Sequence, residues 1–182
     1  SPVFTLQESA NGGQRFTEVG PIPGASIRQV ALGPRCGVAH GARTLRLRCP
    51  TGAPEAAGAW EPLDPGPLRG IGEPVAFEPD GTLLVGGASL RRRDSDGGWS
   101  TLRDRECRAT DGVLAVVQTD GRPTPLDLRT DTALPALGRD RLPHAVRWTP
   151  DGPWVLTSSR RTPTAGFTVL HQHDDRWVAH PT

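Results

Sequence analysis

Five histidines, three cysteines and 20 acidic side chains are the groups from which this 182-residue chain could assemble a reactive or ligand-binding site. Their spacing excludes more than it offers. No Gly-x-Ser-x-Gly elbow, phosphate-cradling glycine loop or Cys-x-x-Cys pair is present. His171 and His173 stand two apart, just before Asp174 and Asp175. Alternate residues of a strand share a face, so a two-histidine metal site is conceivable there. The segment, however, runs from an outer strand into a turn, where such residues are ordinarily solvated, so neither a metal nor another cofactor is expected.

Cysteine placement says more. Cys36 and Cys49 bracket residues 37 to 48, which read as a β-hairpin turning near Gly41-Ala42-Arg43. Antiparallel pairing then sets the two thiols face to face, close enough to bridge, and a disulfide points to an oxidising, extracytoplasmic or secreted setting. Two buried thiols are the alternative. Cys107 has no partner nearby in sequence and reads as a small core residue.

The elements that must position these groups follow from composition and repetition. There are 22 glycines and 19 prolines, no methionine and no tyrosine, and all 21 basic residues are arginine. So many helix breakers leave little room for long helices. The formal net charge is +1 and the two signs are interleaved, so neither a nucleic-acid footprint nor a membrane-binding surface is expected. The densest basic run, Arg91-Arg92-Arg93, is followed by Asp94 and Asp96 and reads as a solvated strand end. No apolar stretch is long enough for a transmembrane helix, so no membrane insertion is expected.

Two segments announce a repeat, Val75-Ala76-Phe77-Glu78-Pro79-Asp80-Gly81-Thr82-Leu83-Leu84-Val85 and Val146-Arg147-Trp148-Thr149-Pro150-Asp151-Gly152-Pro153-Trp154-Val155-Leu156. Each reads strand, Pro-Asp-Gly turn, strand, since proline presets the turn and glycine accepts a positive φ. A third copy, from Val30 to Val38, keeps the proline. A fourth, from Glu106 to Val116, keeps only the Asp-Gly. Downstream of these copies a second strand pair closes on an aromatic or apolar residue: Trp60, Trp99, a weak slot near Leu134 to Leu137, and Trp177. Trp60 and Trp99 lie 39 residues apart, and Trp177 follows two such steps later. This is the period of a four-stranded blade.

The fold expected is therefore all-β, a β-propeller of about four four-stranded blades with an N-terminal half blade in front. The half blade covers 1–24 and the blades about 25–66, 67–103, 104–141 and 142–182. A β-sandwich is the rival, which in-register recurrence of whole four-strand units disfavours. Phe4 to Val19 has the form of the last two strands of a blade, with no inner pair before it. Its inner edge should be completed by a missing N-terminal segment or by a protein partner.

Three stretches resemble the Asp-box (BNR) repeat of the propeller superfamily that includes sialidases, photosynthesis-assembly-factor-like proteins and sortilin-type receptors. Ser9-Ala10-Asn11-Gly12-Gly13-Gln14-Arg15-Phe16 fits the box with Asn for Asp and Arg for Thr. Asp94-Ser95-Asp96-Gly97-Gly98-Trp99 is a shortened version, and His173-Asp174-Asp175-Arg176-Trp177 a more degenerate one. The resemblance implies that the box is a folding element, its Asx side chain bonding its own turn and its aromatic packing between sheets. Asn11, Phe16, Trp60, Asp96, Trp99 and Trp177 are thus expected to be scaffold. Sialidase chemistry needs a tyrosine nucleophile, which this chain lacks.

Counting back two positions from Val30, Val75, Glu106 and Val146 gives Arg28, Glu73, Asp104 and His144. All four are ionisable, and inner-strand starts ring the mouth of a propeller's channel. They are the candidate binding residues, for a carbohydrate or another small polar ligand, against the plainer reading that exposed strand starts are often charged. The function expected is a non-catalytic binding or assembly module, with no catalytic residues. The alternatives are a glycoside hydrolase- or lyase-like enzyme using Glu73 and Asp104 at that ring, and a structural fragment completed by another chain.

Overall fold

The computed structural model describes residues 4–8, 14–15, 17–22, 27–41, 44–49, 60–63, 74–94, 96–162, 164 and 166–180. The chain divides into two compact units, Ser1–Gly72 and Glu73–Thr182. Its fold is all-β: four four-stranded antiparallel blades, in each of which consecutive strands are neighbours, and one two-stranded sheet. Among the described residues no helix is long and apolar enough to cross a membrane.

In the first unit, β1 (Phe4–Glu8) pairs with β2 (Thr17–Ile22). Blade 1 follows as β3 (Ile27–Leu32), β4 (Gly37–Gly41), β5 (Leu45–Arg48) and β6 (Glu61–Leu63). Trp60, 8% exposed, packs with Ile22 of β2 and with Ala39, Ile27 and Val30 of blade 1. The hairpin between the cysteines forms, and Cys36 and Cys49 are bridged with their Cα atoms 4.2 Å apart.

The second unit holds blade 2, β7 (Val75–Phe77) to β10 (Trp99–Arg103) by way of β8 (Leu83–Val85) and β9 (Leu90–Arg93). Blade 3 is β11 (Cys107–Thr110), β12 (Leu114–Thr119), β13 (Arg122–Asp127) and β14 (Thr132–Ala133). Blade 4 is β15 (Arg141–Thr149), β16 (Gly152–Ser159), β17 (Phe167–His173) and β18 (Arg176–His180).

The unbroken burial of Leu114-Ala115-Val116-Val117 has a simple origin. Side chains alternate across a strand, and both faces of β12 are covered. Ala115 and Val117 pack with Leu84, Leu90 and Cys107 toward blade 2, while Leu114 and Val116 pack with Val146, Val155 and Leu170 toward blade 4. Trp177 seals the second seam, its indole N–H donating to the Pro135 carbonyl at 2.7 Å, and Leu134 and Leu137 of the weak copy sit in the same cluster. Trp99 differs. It is half-buried, with the Arg91 guanidinium 5.9 Å from its ring centre.

Backbone contacts also bolt blade 3 to its neighbours. Gly87 of blade 2 and Cys107 exchange two hydrogen bonds, at 3.0 and 2.7 Å. Gly112 has φ +93°, and a Cβ built there would lie 1.8 Å from the Phe77 carbonyl oxygen. Asp111 accepts from the N–H groups of Val113 and Leu114 through Oδ1, and through Oδ2 from the Trp148 N–H of blade 4 at 2.6 Å.

Candidate functional site

Of the four ring candidates, Arg28, Asp104 and His144 are described and all three are exposed. Glu73 lies outside the described residues, as do Asn11 and Phe16 of the first box. Arg28 belongs to the first unit, Asp104 and His144 to the second.

The local backbone treats Arg28 and His144 alike. In β3, Ile27 pairs with Gly41 and Gln29 with His40, so Arg28 is the extra residue of a bulge. In β15, Pro143 pairs with Thr157 and Ala145 with Leu156, which leaves His144 as the extra residue. A bulge bends its strand and re-aims the inserted side chain. Both therefore stand at equivalent bulged points of the inner strands of blades 1 and 4. Blade 3 departs from this pattern: its bulge falls between Cys107 and Ala109 and inserts Arg108, whereas Asp104 precedes the strand.

Within the second unit the inner strands of blades 3 and 4 run the same way, since Asp111, just past the end of β11, bonds Trp148 near the end of β15. Asp104, ahead of β11, and His144, in the first half of β15, thus lie toward the opposite end of these strands. His144 Nε2 lies 2.7 Å from the hydroxyl of buried Ser158, and its ring meets Phe167 edge-on at 5.2 Å. Neither Ser158 nor Phe167 carries a sequence signal of its own, because the contact depends on the bulge that turns His144.

The other end holds a different network. The Arg129 guanidinium lies 4.0 Å over Trp148 and binds Asp127 through both carboxylate oxygens, at 2.9 and 2.7 Å. These bonds hold the Asp127 carboxyl below the ordinary carboxylate range. Burial acts in reverse on the Cys107 thiol, pushing it up to about 12, so this cysteine is a core group and not a nucleophile.

Among the described residues, no three histidine, cysteine or acidic side chains group as metal ligands. His171 stacks flat on Trp154, with centroids 4.1 Å apart, and its Nε2 meets the Asp151 carbonyl. His173 is exposed beside Asp174. The pair that shared a face in sequence is thus split between a ring stack and solvent. Asp96 bonds its own turn: its Oδ1 accepts from the Gly98 N–H at 2.8 Å, where Gly97 takes φ +90°.

No family model matches the sequence, and no curated protein matches it. Solved structures do. TolB from Acinetobacter baumannii superposes with a TM-score of 0.60 at 19% identity, over 96% of this chain and 47% of that one. A putative TolB from Agrobacterium tumefaciens gives 0.57 at 16% identity, over 86% and 61%. A chain of the mitotic checkpoint complex gives 0.56 at 12% identity, over 91% and 56%. Likeness at these identities establishes the fold, and these neighbours are β-propellers. The chain spans about half to three fifths of the length of each.

Proposed function

We propose that this chain is a non-catalytic binding or assembly module of the Asp-box (BNR) propeller type, working outside the cytoplasm. Its candidate ligand residues for a polar ligand or protein partner are those counted from the inner strands: Asp104 and His144, with Glu73, in the second unit and Arg28 in the first. In this reading the half blade is 1–24 and the blades are 25–66, 67–103, 104–141 and 142–182.

The observation that carries the reading is the pair of bulges that turn out Arg28 and His144 at matching points of two blades. Bulges interrupt hydrogen-bonded ladders and gather where a side chain must be aimed. The self-bonded Asp96 turn supports the Asp-box type, and the Cys36–Cys49 bridge supports an oxidising location. Exposed Asp104 lacks the apolar enclosure in which paired carboxylates do acid–base work, so binding is preferred to hydrolysis.

Glycan and peptide arrays probed with the purified chain test this. The rim variant joins Asp104→Asn with His144→Gln, and Asp151→Asn at the opposite end is the control. Ligands held by the parent and the control should bind about tenfold more weakly to the rim variant. Equal retention by all three proteins would overturn the reading. Turnover of an aryl glycoside that vanishes in the rim variant would replace it with the hydrolase alternative.

A further inference from the structure

Blade 4 begins at an edge rich in arginine. Arg141, the first residue of β15, pairs with Ser159, the last of β16. The Arg160 N–H donates to the Asp140 carbonyl at 2.7 Å, which holds the connection before β15 against the turn after β16. Ser159 Oγ accepts from the N–H groups of Arg161 and Thr162 and fixes that turn. Arg139, Arg141, Arg160 and Arg161 are thereby drawn to one edge, although some 20 residues separate the two pairs in sequence. Asp140 is the one acid within these two short segments.

Four arginines elsewhere hold acids: Arg92 with Glu78, Arg103 with Asp131, Arg108 with Glu106 and Arg129 with Asp127. None of the four edge arginines joins an ion pair among the described residues. Like charges drawn to one edge repel one another, and Asp140 is the one acid that the two segments themselves carry. Beside them Phe167 is 55% exposed, with His144 set edge-on against its ring and tied to Ser158. The edge thus joins planar cations, which accept carboxylates in bidentate fashion, to an apolar ring held in place.

We propose that this edge binds an acidic peptide segment in which carboxylates alternate with apolar side chains. The arginines take the carboxylates and Phe167 takes an apolar side chain, which a sulfated glycan would not supply. This deepens the reading above and rests on it, because the edge is the blade 4 portion of the rim that carries His144.

The test is fluorescence anisotropy with a labelled octapeptide of alternating glutamate and leucine. Its glutamine–leucine counterpart and a sulfated heparin oligosaccharide are the comparison probes. The peptide should bind the parent chain, weaken as ionic strength rises, and bind about tenfold more weakly to R139Q/R160Q/R161Q. Phe167→Ser should weaken it about threefold. R147Q/R176Q, which removes two exposed arginines elsewhere on blade 4, should leave it unchanged. Near-ultraviolet circular dichroism confirms that every variant is folded.

Equal binding by the triple variant, or binding of the glutamine peptide as tightly as the glutamate one, would overturn the proposal. So would heparin binding more tightly than the peptide through the same arginines. An array ligand lost with Asp104→Asn/His144→Gln, from a chain that ignores the peptide, would also overturn it while leaving the rim reading intact. Peptide binding that depends on the arginines but not on Asp104 or His144 would uphold the edge and retire the wider rim.

Discussion

The turn at 79–81 keeps the whole Pro-Asp-Gly motif and touches almost nothing, whereas the eroded copy at 111–112 is built into both of its neighbours. Gly81 takes φ +94°, and no heavy atom lies within 4 Å of where its Cβ would stand. Asp80 bonds the nearby Thr82 N–H, a contact that holds its carboxyl below the ordinary range. Gly112 adopts almost the same φ, but its missing Cβ makes room for the Phe77 carbonyl of blade 2, and Asp111 reaches Trp148 of blade 4. Loss of the consensus here accompanies a gain of contacts. In a stack of blades, contacts across a seam can hold a turn whose own motif is incomplete.

Substitution at the two glycines is the strongest way to break this comparison. Gly112→Ala should cost at least about 3 kcal/mol, since both backbone strain and a clash with another backbone oppose the methyl group. Gly81→Ala should cost about 1 kcal/mol, from the positive φ alone. Urea denaturation of both variants would show it, and equal costs would remove the seam argument.

The tryptophans offer a parallel contrast of similar size. Trp177→Ala should destabilise by about 3 kcal/mol, because it seals the seam between blades 3 and 4 and bonds Pro135. Trp99→Ala, beside Arg91 and half-buried, should cost about 1 to 2 kcal/mol. Thermal unfolding of the two would reverse the account if Trp99 proved the more costly.

Asp111→Ala should cost about 2 kcal/mol by leaving three N–H groups without their acceptor, against about 0.5 kcal/mol for Asp80→Ala. The smallest effect is a pH dependence. Because the folded state holds Asp127 ionised below the ordinary carboxylate range, its contribution is complete above that range. It is lost as the pH falls through the lower folded-state value. Asp127→Asn should therefore flatten the acid limb of the stability profile, and an unchanged limb would show that Asp127 does not contribute to it.

The blades were legible because Pro-Asp-Gly and the tryptophan spacing encode a turn and a packing slot directly. So was the disulfide, since hairpin pairing alone aligns Cys36 with Cys49. What could not be read was anything that depends on how strands slip. A bulge inserts one residue without marking it in sequence, so Arg28 and His144 showed only as ionisable positions. In blade 3 the Asp-Gly opens a loop of residues 111–113, whereas in blade 4 Asp151 sits inside a two-residue turn. Counting from the shared dipeptide therefore set Asp104 ahead of its strand. The arginine edge was equally hidden, because pairing of β15 with β16 brings its halves together.

Cys107 has a kinetic consequence. With Cys36 and Cys49 bridged, it is the chain's single free thiol, and it lies in the core between blades 2 and 3. A thiol reagent can reach it only while that seam is open, when the Gly87 hydrogen bonds are broken and Leu84 and Leu90 have moved away. The rate of its modification thus clocks the parting of two blades, as hydrogen exchange clocks a protected amide. Gly112→Ala, which wedges the same seam, should speed that clock under conditions where the chain as a whole stays folded.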